Sequence, residues 1–273
     1  MTGVSDDELY RQSETDNLYR HGPGATLELN RPDRLNAWSD QFSQDLLAAI
    51  TDVTEDPAIR AVVVTGAGRA FSSGADLKEA AERAEGGNFD VYSRLTERYH
   101  PIITGLRLMP KPVIAAVNGP AAGIGLSLAL ACDLVVAAES AFFQLAFVNI
   151  GLVPDGGSSL FVPSRVGLTR AAELAMLGER LDAKTARDWG LINRVWPDDE
   201  FPAQTRALLD RLASGATQSY AGSKRELNHW LYHRMAEHLE FEASTQREME
   251  STADFVEGVS AFLQKRPAKF TGK

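Results

Sequence analysis

The chain is 273 residues long, 44% hydrophobic and 24% charged, which excludes a disordered or fibrous protein and suits one large domain or a domain with an appendage. Its 28 Lys and Arg against 37 Asp and Glu leave a formal charge of −9, which argues against nucleic acid or an anionic membrane as partner, since both demand clustered positive charge. The single cysteine, Cys132, excludes an intrachain disulfide and any multi-cysteine metal site.

Residues 1–16 are polar and lack hydrophobic periodicity, so they read as a disordered or loosely attached N-terminal arm. The first eight are acidic without an apolar core, unlike a signal or transit peptide. Residues 25–29 alternate as a half-buried strand should. Ser39 then offers an N-cap to a helix whose Phe42, Leu46, Leu47, Ile50 and Val53 share a face, ended by Asp56-Pro57. The β-branched run 61–65 reads as a strand buried on both faces and broken by Gly66-Ala67-Gly68. Residues 80–90, charged and glycine-containing, are expected to form a mobile loop. Further buried strands are predicted at 112–117 and 133–138, with a helix over 125–131 between them.

Beyond about residue 198 the strands cease. Helical spacing covers 201–213, then one long segment, 224–248, with Leu227, Leu231, Met235 and Leu239 every four residues, and finally 256–263. The expected division is an arm over 1–16, an α/β core over 17–198 and a helical region over 199–273. The longest apolar stretch, 124–132, is too short to span a bilayer, and a cytoplasmic location is the expectation.

Three stretches place turn residues where chemistry can use them. Gly66 to Leu77 follows a buried strand, and Asn118-Gly119-Pro120-Ala121-Ala122-Gly123-Ile124-Gly125 joins a strand to an apolar helix. A glycine turn feeding a helix exposes N–H groups with no intrahelical partner, which can hold an anion or a developing oxyanion, although tight turning alone also explains the glycines. Neither stretch is a P-loop, and no dinucleotide-type third glycine follows Gly66-Ala67-Gly68. The third stretch sets Asp155 between Pro154 and Gly156-Gly157, a position for either a turn cap or a catalytic carboxylate. His229 and His233 lie four apart but lack a third ligand at metal spacing, and Cys132 reads as a buried apolar residue.

Taken together these motifs resemble the enoyl-CoA hydratase/isomerase (crotonase) superfamily. The likeness runs from Leu29-Asn30-Arg31-Pro32-Asp33-Arg34-Leu35-Asn36-Ala37 through Gly74-Ala75-Asp76-Leu77-Lys78, Asn118-Gly119 and Asp133 to the tail from Gly258 to Arg266, covering nearly everything after residue 20. Within the family the chain looks most like the 1,2-epoxyphenylacetyl-CoA isomerase-like branch, at 151–157 and in Phe270-Thr271-Gly272-Lys273. The resemblance implies an α/β crotonase spiral of ββα turns with a C-terminal helical trimerisation region, as a homotrimer or dimer of trimers. It implies a coenzyme A thioester as substrate and no separate prosthetic group. Carried over by position, the backbone amides of Ala75 and Ile124 hold the thioester oxygen, Ile124 standing where glycine is usual.

The family's hydratases use two glutamates, and the matching positions are Ser127 and Phe147, so two-glutamate hydration does not fit. Asp155 matches the catalytic carboxylate of the isomerase branch and the nucleophile of the 4-chlorobenzoyl-CoA dehalogenase. His100 stands at the distance of that dehalogenase's histidine base, although Phe147 replaces its tryptophan. Coenzyme contacts are implied at Arg34, Leu35, Ala75, Asp76, Leu77, Lys78, Phe262 and Lys265, with Arg31 and Arg69 as weaker candidates. An enoyl-CoA or ring-epoxide acyl-CoA isomerase using Asp155 is the leading expectation. A hydratase-like lyase, a dehalogenase-like hydrolase using Asp155 with His100, and a non-catalytic acyl-CoA-binding homologue are the alternatives.

Overall fold

The structure, a computed structural model, describes residues 8–85 and 90–273. Strands β1 (Glu8–Gln12), β2 (Asp16–His21) and β3 (Gly24–Leu29) open the chain as an antiparallel meander. This corrects the expected arm: residues 1–7 lie outside the described part, 8–12 form β1, and a turn over 13–15 leads into β2. β1 shows mostly exposed side chains and is held by backbone pairing with β2, so no apolar pattern marks it. Thr15, just before β2, is anchored by its N–H and hydroxyl to Asp45 Oδ2 at 3.2 and 2.8 Å.

Helix α1 (Asp40–Glu55) begins where Ser39 Oγ accepts from the Phe42 N–H at 3.1 Å, and buries Phe42, Leu46, Ala49, Ile50 and Val53. β4 (Ala61–Gly66) follows. The expected loop at 80–90 is helical over 80–85, since α2 spans Leu77–Glu85; residues 86–89 lie outside the described part, and Asp90 is an extended N-cap. After α3 (Val91–Arg94), a wide π-type turn at Leu95–Tyr99 leads into α4 (His100–Leu108). Next come β5 (Val113–Val117), β6 (Ala121–Ala122), α5 (Ile124–Ala131), β7 (Leu134–Ala138) and β8 (Phe142–Gln144).

Helix α6 (Ser158–Leu177) is broken at Gly167, whose φ is 77°. Then come β9 (Leu181–Asp182), α7 (Ala183–Asp188) and β10 (Arg194–Trp196). The main sheet runs β1-β2-β3-β4-β5-β7-β10, parallel from β3 onward, while β6, β8 and β9 form a small second sheet. Alternation along the central strands feeds two cores. Val62, Val64, Ala115, Val117 and Val135 face the larger core with α1, α4 and α5. Val63, Ile114, Ala116 and Val136 face α8 (Phe201–Ala213) through Phe201, Leu208 and Leu209.

The tail is all helical, but the single segment expected over 224–248 is two helices, α9 (Thr217–Tyr232) and α10 (Met235–Glu250), separated at His233 and Arg234. The break splits the leucine stripe: Leu227 and Leu231 are exposed, whereas Met235 and Leu239 are buried. On α9, Lys224 Nζ donates to the Leu106 and Lys111 carbonyls and pairs with Asp133, and Asn228 donates to the Arg107 carbonyl at 2.9 Å. Two of these acceptors, the Leu106 and Arg107 carbonyls, end α4 and have no partner within their own helix. α11 (Ala253–Leu263) closes the fold. Among the described residues no helix is long and apolar enough to cross a membrane.

Candidate active site

Two asparagines, one buried and one half-buried, shape the loop after β4. Asn36, at φ 54° and without solvent exposure, accepts from the Arg31 N–H at 2.8 Å and donates to the Ala67 and Ala70 carbonyls at 3.0 and 2.8 Å. Asn118 accepts from the Gly66 N–H and donates to the Gly68 carbonyl. Gly66 itself is required there, because a Cβ would sit 2.1 Å from the Ala70 carbonyl oxygen. The loop then delivers Gly74, Ala75 and Asp76 to the start of α2.

Around Ala75 the neighbouring amides are occupied: the Gly74 N–H donates to Ser72 Oγ, and the Asp76 N–H to the Trp38 carbonyl at 3.0 Å. At the start of α5 the Gly123 N–H donates to the Gln144 carbonyl and the Leu126 N–H to the Gly123 carbonyl. Between these, among the described residues, the Ala75 and Ile124 N–H groups have no protein acceptor. The Gly74 and Gly123 turns abut, for a Cβ on Gly74 would lie 3.7 Å from the Gly123 Cα. The Ile124 amide also begins α5, where the helix dipole favours negative charge.

Both amides border a cavity of about 520 Å³. Its lining includes nine of the residues singled out from the sequence: Arg34, Leu35, Ala75, Asp76, Leu77, Lys78, Ile124, Asp155 and Phe262. Two others are not brought to it. His100 sits at the start of α4, buried and kept neutral, its pKa pushed down to about 4 by burial with Glu240 opposing. Among the described residues no hydrogen bond joins His100 to Asp155. Lys265 lies past the end of α11 and does not line the cavity either. Nor do Arg31 and Arg69; Arg31 is committed to Asp76 at 3.2 Å and to the Ala37 carbonyl. Asp76 in turn caps α2 by accepting from the Glu79 N–H. Two further lining residues, Arg180 and Arg94, escaped the sequence reading.

Asp155 is the buried carboxyl group of this lining. Its carbonyl accepts from Ser127 Oγ at 2.7 Å and Ser158 Oγ at 2.8 Å, so Ser127, at a position where the family's hydratases carry a glutamate, holds the Asp155 turn in place. Gly156 and Gly157 continue that turn at φ 59° and 82°. A Cβ on Gly156 would lie 2.3 Å from Ile124 Cδ1, so the isoleucine side chain packs directly on the Asp155 turn. The carboxyl Oδ2 accepts from Gln246 Nε2 at 2.7 Å, and among the described residues Oδ1 has no partner. Burial pushes Asp155 up to about 8, against the Gln246 hydrogen bond and with help from nearby Glu242.

The α10 partners Glu242 and Gln246 were missed from the sequence. Glu242, itself pushed up to about 7 by burial, accepts from the Gly157 N–H at 2.7 Å and from the Ser159 N–H and hydroxyl. Their signal was the i, i+4 spacing of His238, Glu242 and Gln246, which on an isolated helix looks the same as a solvated face. The assembled arrangement sets two unpartnered amides, on residues that line one cavity, together with a carboxyl group that can carry a proton at neutral pH, a set suited to making and quenching an enolate.

The sequence profile of the enoyl-CoA hydratase/isomerase family matches residues 24–273. A protein of Rhodobacter capsulatus named probable enoyl-CoA hydratase is 42% identical over 91% of this chain and 95% of its own length. The 1,2-epoxyphenylacetyl-CoA isomerase of Escherichia coli is 40% identical with the same coverage. The crystal structure of an enoyl-CoA hydratase from Mycobacterium avium subsp. paratuberculosis superposes with a TM-score of 0.86 at 37% identity, over 95% of this chain and all of that one. The α/β architecture, the sequence match and the structural likeness agree, and the chain belongs to the enoyl-CoA hydratase/isomerase family.

Proposed function

We propose that the protein isomerises an enoyl-CoA or ring-epoxide acyl-CoA thioester, with Asp155 moving the proton. The observation that carries this reading is the convergence of the unpartnered Ala75 and Ile124 amides and the buried Asp155 carboxyl on one cavity. In the double-bond case the Asp155 carboxylate removes an acidic C–H proton of the acyl group. The C–H electron pair delocalises into the thioester, and the oxygen charge is held by the two amides. The Asp155 carboxylic acid then returns the proton two carbons away, leaving substrate and product isomeric and the enzyme unchanged. Coenzyme A enters as part of the substrate, and this proton transfer calls on no prosthetic group.

Hydration additionally requires a water held and deprotonated beside the double bond. Ser127 is committed to the Asp155 carbonyl and Phe147 has no proton to transfer, which favours isomerisation. Exposed Arg34, Lys78 and Arg180 supply cations to the cavity lining for the coenzyme phosphates. The exposed apolar side chains of Trp230, Phe241, Val256 and Phe262 on the tail helices support assembly as a homotrimer or dimer of trimers. Phe262 belongs both to that exposed set and to the cavity lining, so assembly and acyl-CoA binding are linked.

The test is a mass-spectrometric panel of acyl-CoA thioesters incubated with the wild type and Asp155→Asn. Isomerisation yields a product of unchanged mass, separated from its substrate by liquid chromatography, that disappears with the variant. A product heavier by one water, labelled from ¹⁸O-water, would establish the hydratase reading instead, and micromolar binding without turnover the non-catalytic one.

A further inference from the structure

α10 belongs to the tail, yet two of its fully or nearly fully buried side chains, Glu242 and Gln246, point at the turn that carries Asp155. Gln246 has a fixed polarity: its Oε1 accepts from the Val153 N–H at 3.2 Å, so its Nε2 must be the atom donating to Asp155 Oδ2 at 2.7 Å. An oxygen that accepts from Nε2 cannot direct an acidic proton at the same atom. Oδ1 has no partner among the described residues. Glu242, one turn before Gln246, is surrounded by donors: the Gly157 N–H, the Ser159 N–H and the Ser159 hydroxyl. The Ser159 hydroxyl lies 2.7 Å from His238 Nε2, which completes the set if that nitrogen carries its hydrogen.

We propose that Gln246 and Glu242 are positioning residues for Asp155: Gln246 confines the exchangeable proton to Oδ1, and Glu242 places a negative charge behind the Asp155 turn that makes Asp155 the stronger base. This rests on the reading of Asp155 as the proton carrier. The helical tail thereby contributes to proton transfer as well as to assembly. The groups facing Asp155 are Glu242 and Gln246 from α10, Ser127 from α5, Ser158 from α6 and the Tyr99 phenol from the turn before α4. Of these, Glu242 and Tyr99 are ionisable, and burial pushes Tyr99 up to about 12, which leaves it neutral across the working range. Glu242 is therefore the facing carboxyl whose charge adds to the larger effect of burial on Asp155.

The experiment is a pH titration of the full chain labelled with ¹³C at the aspartate carboxyls, the Asp155 signal being identified by its loss in Asp155→Asn. Gln246→Met keeps the side chain's length but removes the donor, and should move the Asp155 titration up by about one pH unit. Glu242→Gln removes the charge and should move it down by about one unit. The pH–rate profile for isomerisation of 3-hexenoyl-CoA should move the same way in each variant, with kcat changing more than KM. A purely structural role for α10 would lower stability in both variants without shifts of opposite sign, and that outcome, or two unmoved titrations, overturns the proposal. If Gln246→Met fails to fold, the Asp155 signal in Glu242→Gln decides alone. If the wild type does not turn over 3-hexenoyl-CoA, the isomerase reading has failed for that substrate, while the titrations still decide this inference.

Discussion

Asn36→Ala removes the side chain that joins three parts of the site loop. It deletes hydrogen bonds to the Arg31 N–H and the Ala67 and Ala70 carbonyls in a position without solvent exposure. Three such bonds contribute about 1 kcal/mol each. Alanine at the φ of 54° that asparagine tolerates costs about 1 kcal/mol more, for an expected loss of about 4 kcal/mol. That loss corresponds to a fall in Tm of about 8–16 °C for a protein of this size. Asn36→Gly should recover about 1 kcal/mol of it, the backbone share alone. Urea unfolding of the three proteins measures both numbers, and acyl-CoA titration should show weakened binding, because the loop positions the Ala75 amide. A loss below about 1 kcal/mol, with alanine and glycine indistinguishable, would refute the reasoning that this side chain ties the loop together.

The buried acids make stability and activity respond to pH in opposite directions. Asp155 and Glu242 have folded pKa values raised to about 8 and about 7, so their contribution to stability is complete below the ordinary carboxylate value of about 4 and is lost as pH rises through 7 and 8. Over the same window Asp155 becomes the carboxylate that can act as base, so kcat/KM should climb through about pH 8 while urea stability falls. Asp155→Asn should flatten its share of that fall, and stability that rises between pH 5 and 8 would contradict the assignment. Trp230→Glu places a charge on an exposed apolar face of α9 and should shift sedimentation from the assembled form to the monomer, with acyl-CoA affinity falling in step; an unchanged sedimentation profile would argue that this face is not an interface. Lys224→Met strips the donor shared by the Leu106 and Lys111 carbonyls and Asp133, and should cost about 2–3 kcal/mol in urea unfolding while Asp133 keeps its contact with Arg107.

Much of the fold could be read from hydrophobic pattern, because pattern is what packing against a core imposes. α1 lies between Ser39 and Asp56, as its cap and stop residues implied, and the run 61–65 is buried on both faces by two separate cores. β1 escaped because backbone pairing to β2 holds it, and pairing leaves no apolar signature. The helix expected across 224–248 breaks at His233 and Arg234, neither of which is a glycine or proline, so propensity gave no warning. The site was legible where it is made of turns. Gly66, Gly74, Gly123 and Asp155 sit where glycine geometry and proline stops put them. It was illegible where distant segments meet, since Gln246 reaches Asp155 across 91 residues and Ser127 reaches its carbonyl across 28. Ser127 read as the loss of a glutamate, and its gain, a hydrogen bond that fixes the Asp155 turn, needed the folded chain.

In the proposed reaction Asp155 carries the proton while backbone amides hold the thioester. Steady-state kinetics on the best substrate from the acyl-CoA panel, run with calorimetric binding of the same thioester, tests it most directly. For Asp155→Asn, kcat should fall about 10²–10⁴-fold with affinity retained, because the amides of Ala75 and Ile124 are untouched. Full turnover by Asp155→Asn, or binding lost together with activity, would contradict it.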